Sequence, residues 1–149
     1  MTMFSAMPLI YSKSMDSNLL IKLQTEKAQR FLQEADDMVL QKRWDLAANR
    51  FYYACYHIVH AAFITRNIAT KSHDGTLTEL GRQFIMTGQL DKKYGRFYAR
   101  MIQLRIKADY NSIADITEAE VLELAPLSHD FVTAVGELVN ITNVEPLKQ

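Results

Sequence analysis

The stretch "LAANRFYYACYHIVHAAFITRN", residues 46–67, constrains this chain more than any other. It is apolar on nearly every side and holds neither glycine nor proline, so it reads as a helix with neighbours on all faces. A helix of that kind is stable only at the centre of a set of others. The rest of the chain supplies them. Only five glycines and three prolines occur in 149 residues, and period-two alternation is missing. The expected fold class is all-α, an antiparallel up-and-down four- to five-helix bundle.

The surrounding helices are read from period and caps. The first is expected over about residues 18–41, with Leu20, Leu23, Lys27, Phe31, Ala35 and Met38 stepping by three or four. "KRW" interrupts it, and Asp45 is the expected N-cap of the central helix. Ser72 or Asp74 caps a shorter third helix, and Gly88 closes it in left-handed geometry. Asp91 opens a fourth helix to about Ala108, with Phe97, Met101, Leu104 and Ala108 as its apolar face. "DYNSIADI" is expected as a loop. Thr117 and Glu120 form a capping box for the last helix, to about Ile141, which Pro126 should kink or shorten by splitting off its first turn. Residues 1–17 read as an N-terminal arm, 18–141 as the bundle and 142–149 as a C-terminal tail.

Composition excludes several classes. Seventeen basic and 17 acidic side chains give no overall pull toward nucleic acid or membrane. No apolar run approaches the roughly 18–20 residues that span a bilayer. The N-terminus lacks the basic cluster and apolar core of a signal peptide. Cys55 is the single cysteine, so no internal disulfide forms and a cytoplasmic setting is expected. No Gly-rich phosphate loop, nucleophile elbow or cysteine pair is present, and no cofactor is expected.

Charge is nevertheless unevenly placed. Between Arg82 and Lys107 lie seven basic residues and one acid, Asp91, whereas from Asp115 onward there are seven acids and one base, Lys148. The two segments either neutralise one another side by side or leave a basic flank for a polyanion. On the fourth helix, Lys93, Arg96, Arg100 and Lys107 fall on one side of the apolar stripe. Tyr94, Tyr98, Arg105 and Asp109 fall on the other. Arg105 is therefore either an i,i+4 partner of Asp109 or a guanidinium positioned to fork onto a phosphate.

Three further constellations bear on chemistry. Arg50 and His57 are seven residues apart on one helical face, a pairing suited to phosphodiester chemistry. His57 and His60 stand one turn apart, but their helix supplies no acid to complete a metal site. Tyr52, Tyr53 and Tyr56 read as core or interface aromatics before base-stacking platforms. "KSHDG", residues 71–75, sets Lys71 and His73 beside free helix amides, an arrangement suited to capping or to an anion.

The segments "RWDLAANRFYYACYHIVHAAF" and "KSHDGTLTELGRQFIMTGQLDKKYGRFYARMIQLRIKADY" resemble the HEPN domains. The nearest likeness is to stand-alone members with a Lys-Ser/Thr-His loop before the third helix and Arg-x-x-Ala-Asp-Tyr ending the fourth. The resemblance covers about residues 18–140. It implies a bundle that often dimerises, and in many relatives a minimal nucleotidyltransferase partner within a toxin–antitoxin module. Other relatives are metal-independent ribonucleases, which use an arginine followed four to six residues later by a histidine across a dimer cleft. Arg105 matches that arginine. Positions 110–112 hold Tyr110, Asn111 and Ser112 instead of the histidine, and a phenol with an ordinary pKa near 10 shuttles protons poorly at neutral pH.

Three functions stay open from the sequence. The first is a homodimer with an interfacial nucleotide- or RNA-binding cleft and little catalysis of its own. There Arg105 meets phosphate, Asp109 orients it, Tyr98 and Tyr110 line the cleft, and Lys71, His73 and Arg50 contribute. The second is a metal-independent endoribonuclease, with Arg105 as clamp and His57 or His73 as proton donor. The third is a purely structural interaction module.

Overall fold

The computed structural model describes residues 15–110 and 116–144, with side chains over 16–108 and 116–139. Five α-helices follow in order: α1 Met15–Leu40, α2 Trp44–Ile64, α3 His73–Leu80, α4 Lys92–Tyr110 and α5 Glu118–Val144. No strand occurs among the described residues. This is the expected all-α bundle. None of these helices is long and apolar enough to cross a membrane.

α2 is the axis of the molecule. α1, α4 and α5 all pack on it, and eleven of its 21 residues are buried. Small residues let the neighbours approach. Ala28 and Ala35 of α1 are fully buried, as are Ala47, Ala54 and Ala61 of α2. Larger side chains fill the far side, where Phe131 of α5 lies nearly parallel to Tyr98 of α4, with ring centres 5.7 Å apart.

Two helix phases differ from expectation. On α1 the buried stripe is Ile21, Ala28, Leu32 and Ala35, while Leu23 is 48% exposed and Lys27 faces solvent. The stripe is chosen by close approach to α2, which favours alanine over the larger Leu23. On α4, Met101 and Leu104 are buried as expected, but Tyr98 and Ile102 are buried beside them and Phe97 only partly so. The core face is rotated toward Tyr98, because α4 packs against both α2 and Phe131.

The helix ends carry their own physics. α1, α2 and the third helical segment each close with paired backbone bonds of the Schellman type. The left-handed residue is Lys42 (φ 60°), Asn67 (φ 57°) and Gly88 (φ 83°) respectively. At the first, Arg43 N–H donates to Met38 O and Lys42 N–H to Val39 O, both at 2.9 Å. Only the glycine announces itself in sequence. α2 starts two residues earlier than expected, at Trp44 with Arg43 before it. Asp45 is not its N-cap; it sits in the first turn and accepts from the amide of Leu46 at 2.9 Å. Ser72 does cap α3, accepting from Gly75 N–H at 2.9 Å. α3 then continues through a wider turn over Gly81–Ile85, where Met86 N–H reaches back five residues to Gly81 O at 2.8 Å. The Thr117–Glu120 capping box forms in both directions, at 3.0 and 3.1 Å. α5 runs unbroken through Pro126. The carbonyl that loses its donor belongs to Leu122, which is 49% exposed, so water can serve it.

Candidate functional site

Along α2, Tyr53, Tyr56, His57 and His60 recur at spacings of three and four. They form a half-buried face along the middle of the helix. Tyr52 lies beside them, turned inward and buried. Arg105 of α4 lies against this aromatic face. Its Nε donates to the Tyr53 hydroxyl at 3.3 Å, and its guanidinium carbon stands 5.8 Å from the centre of the Tyr52 ring. His73, the first residue of α3, reaches the same residue, with its Nδ1 hydrogen-bonded to the Tyr52 hydroxyl. Tyr52 is thus the shared neighbour of Arg105 and His73, which are 32 positions apart in the sequence.

Burial holds the Tyr52 and Tyr56 phenols above their ordinary pKa even though Arg105 pulls the other way. Both therefore stay protonated and able to donate at neutral pH. Tyr98 lies nearly parallel to Tyr52, with ring centres 6.2 Å apart, and is fully buried. Burial first, then the Tyr52 phenol, raises its pKa far above the usual phenol value. Tyr98 is thus a supporting residue beneath the cluster, not a wall of an open cleft.

The two α2 histidines are held differently. His57 Nδ1 meets Gln24 Oε1 at 2.7 Å, and its ring stacks on Phe31 of α1 at 5.4 Å and 9°. Burial, then the Lys27 charge, lowers its pKa to about 4. His60 packs on Tyr56, centroids 4.2 Å apart, and its Nε2 is buried with no hydrogen-bond partner among the described residues. Burial, then His73, lowers it to about 4 as well. Both are neutral at pH 7, and neither carries a proton ready to give.

The other sequence candidates fall around this centre. Lys71 is exposed and lines a recess of about 100 Å³ with Tyr56, Thr70, Ser72, His73 and Thr76. Arg50 is taken up elsewhere. Its Nε pairs with Glu34 at 3.0 Å, its Nη1 donates to Asn49 at 2.7 Å, and it lies over Phe31. Asp109 and Tyr110 end α4, but their side chains lie outside the described residues, as do Asn111 and Ser112. The basic flank of α4 is partly neutralised by α5. Arg100 forks onto Glu123 at 2.9 and 3.4 Å, and Lys107 reaches Glu120 at 4.0 Å.

Sequence reasoning did not single out Tyr52 and Tyr53 as the seat of Arg105. The signal was the polar-aromatic face at 53, 56, 57 and 60 in a helix otherwise apolar all round. What the arrangement can do is hold an anion. A guanidinium oriented by a phenol, beside rings that offer π-faces and protonated hydroxyls, suits a phosphate with an attached base.

The chain is similar to known proteins along most of its length. It is 28% identical over 120 residues to a UPF0332 protein of Thermotoga maritima, covering 80% of this chain and 91% of that one. It is 27% identical over 119 residues to a Methanocaldococcus jannaschii protein named "Putative toxin MJ0142", covering 80% and 81%. A UPF0332 protein of Gloeobacter violaceus is 30% identical over 100 residues, covering 65% and 79%. The family model of the HEPN domain matches residues 21–138, so the chain belongs to the HEPN domain family.

Proposed function

We propose that this protein is a binding module with a phosphate-recognising cleft centred on Arg105. It works as a homodimer within a toxin–antitoxin type system and partners a minimal nucleotidyltransferase, without strong catalysis of its own. The ligand is RNA or a nucleotide. The observation that carries the reading is the seating of Arg105: its Nε on the Tyr53 hydroxyl and its guanidinium against the Tyr52 ring. A stability role alone does not call for a half-buried guanidinium at an aromatic surface, because such pairs add little to a fold. The toxin name of a relative covering four-fifths of the chain agrees with the cellular setting. Fluorescence anisotropy of labelled single-stranded RNA, at low and moderate salt, tests it. Salt-sensitive binding with uncut RNA, lost in Arg105→Ala, is expected. Arg105-independent binding refutes it.

One observation favours a second, catalytic reading. His73 hydrogen-bonds to the tyrosine on which Arg105 rests, so a histidine from outside the usual motif stands one ring away from the clamp. RNA cleavage in chelator, lost in both Arg105→Ala and His73→Ala, would establish this reading over the first. His57 serves it less well, being held by Gln24 and Phe31.

A further inference from the structure

Along the first half of α4, away from Arg105, a groove of about 260 Å³ lies between α4 and α5. Its floor is Phe97, Tyr94 and Leu127. Phe97 and Tyr94 both pack on the buried Phe131, at 5.8 and 6.0 Å between ring centres. The floor is therefore fixed by the core and present before any ligand arrives. The rim holds three cations, Lys93, Arg96 and Arg100, and one acid, Asp130.

One of the three cations is already paired, Arg100 being forked onto Glu123. Asp130 accepts from the Tyr94 hydroxyl at 2.9 Å and keeps its negative charge. Lys93 and Arg96 make no ion pair among the described residues, and the Lys93 ammonium instead lies 5.1 Å from the centre of the Tyr94 ring. The groove thus combines an apolar seat with two uncommitted positive charges at its edge. Its volume falls just below the roughly 300–1,000 Å³ of sites that enclose drug-sized ligands. It has room for one ring or a short alkyl chain, not for a whole dinucleotide.

We propose that this groove is a second binding site, separate from the Arg105 cluster, for a small amphipathic carboxylate. The ring or chain lies on Phe97 and Leu127, and the carboxylate sits between Lys93 and Arg96. The charge selects the carboxylate, and the aromatic floor supplies the contact area.

The test uses the full chain, backbone amide NMR, and 3-phenylpropionate with its neutral amide as control. The acid is expected to shift the amides of residues 93–100 and 127–131 with a Kd of about 1–4 mM, as befits a ligand of this size. 3-Phenylpropionamide should bind at least about fivefold more weakly. The double variant Lys93→Gln/Arg96→Gln should bring the acid down to the level of the amide while keeping the parent's melting curve. Leu127→Glu, which sets a carboxylate on the floor, should abolish binding, and Arg105→Ala should leave it unchanged. Equal binding of acid and amide would overturn the proposal. So would full carboxylate affinity in the double variant, shifts centred on the Arg105 cluster, or no saturation at ten times the expected Kd.

Discussion

Lowering the pH from about 7 to about 5 is expected to cost the fold about 2–3 kcal/mol, through two histidines. His57 and His60 are both held near pKa 4 in the folded chain, against about 6.5 unfolded. Across that interval the unfolded chain binds more protons, so stability falls as the pH drops below 6.5 and stops falling below about 4. For a group with these two values, linkage gives about 1.8 kcal/mol lost between about pH 7 and pH 5. We assign that figure to His60, packed on Tyr56 with its Nε2 buried. His57 is more open to solvent and contributes about half as much. For a chain this long the sum is a drop of about 5–10 °C in Tm. The carboxylates of Glu120 and Glu123 act in a lower window. Their pKa values are depressed from 4.5, Glu120 by the Thr117 amide and Glu123 by Arg100. The stability they add is present above 4.5 and lost as pH falls through their lower folded values. Urea unfolding of the parent and of His60→Phe, from about pH 7 to pH 5, separates the terms. The variant keeps a ring on Tyr56 but cannot titrate, and should lose only about 1 kcal/mol over that range. Equal pH slopes for parent and variant would refute the reasoning.

Other outcomes are expected at single positions. Phe131→Ala empties the site beneath Tyr98, Phe97 and Tyr94 and should cost about 3–5 kcal/mol in chemical denaturation, with Phe131→Leu costing clearly less. Lys42→Gly should stabilise by about 0.5–1 kcal/mol, because Lys42 is exposed and held at φ 60°, where glycine carries no steric penalty. Arg105→Ala should weaken RNA binding by about tenfold or more, as loss of a charge-assisted phosphate contact does. The same variant should shift Tm by no more than about 4 °C, since its bond to Tyr53 is long at 3.3 Å.

Much of the bundle is legible in the residues alone, and the reasons are local. Ser72, Gly88 and the Thr117–Glu120 pair mark helix ends through bonds to their own neighbours, so no tertiary information is needed. Helix phase is different. Leu23 and Leu32 are equally apolar, yet only Leu32 is buried, because Ala28 and Ala35 let α1 lie close to α2. That preference depends on the partner helix and is invisible along one strand of sequence. The site divides in the same way. Arg105 stands out by its surroundings on α4, whereas Tyr52 joins it to His73 only once three helices have met. Lys42 and Asn67 adopt left-handed geometry without being glycine, so nothing in their identity announces the turn.

The central place of α2 has a consequence for how the chain is made. Its first partner, α1, precedes it and joins it through the turn at 41–43, so the α1–α2 hairpin can form from local contacts. The opposite side of α2 waits for α5, whose Phe131, Val132, Val135 and Val139 are all buried in the core. Ile64 and Val139 are separated by about 75 residues of synthesis, or roughly 4–15 s at ribosomal rates of about 5–20 residues per second. Throughout that interval the nascent chain presents the bare apolar side of α2. A chaperone that binds exposed apolar helices would find its target there. A product that stops short of α5 should be cleared as unfinished protein rather than accumulate as a smaller bundle.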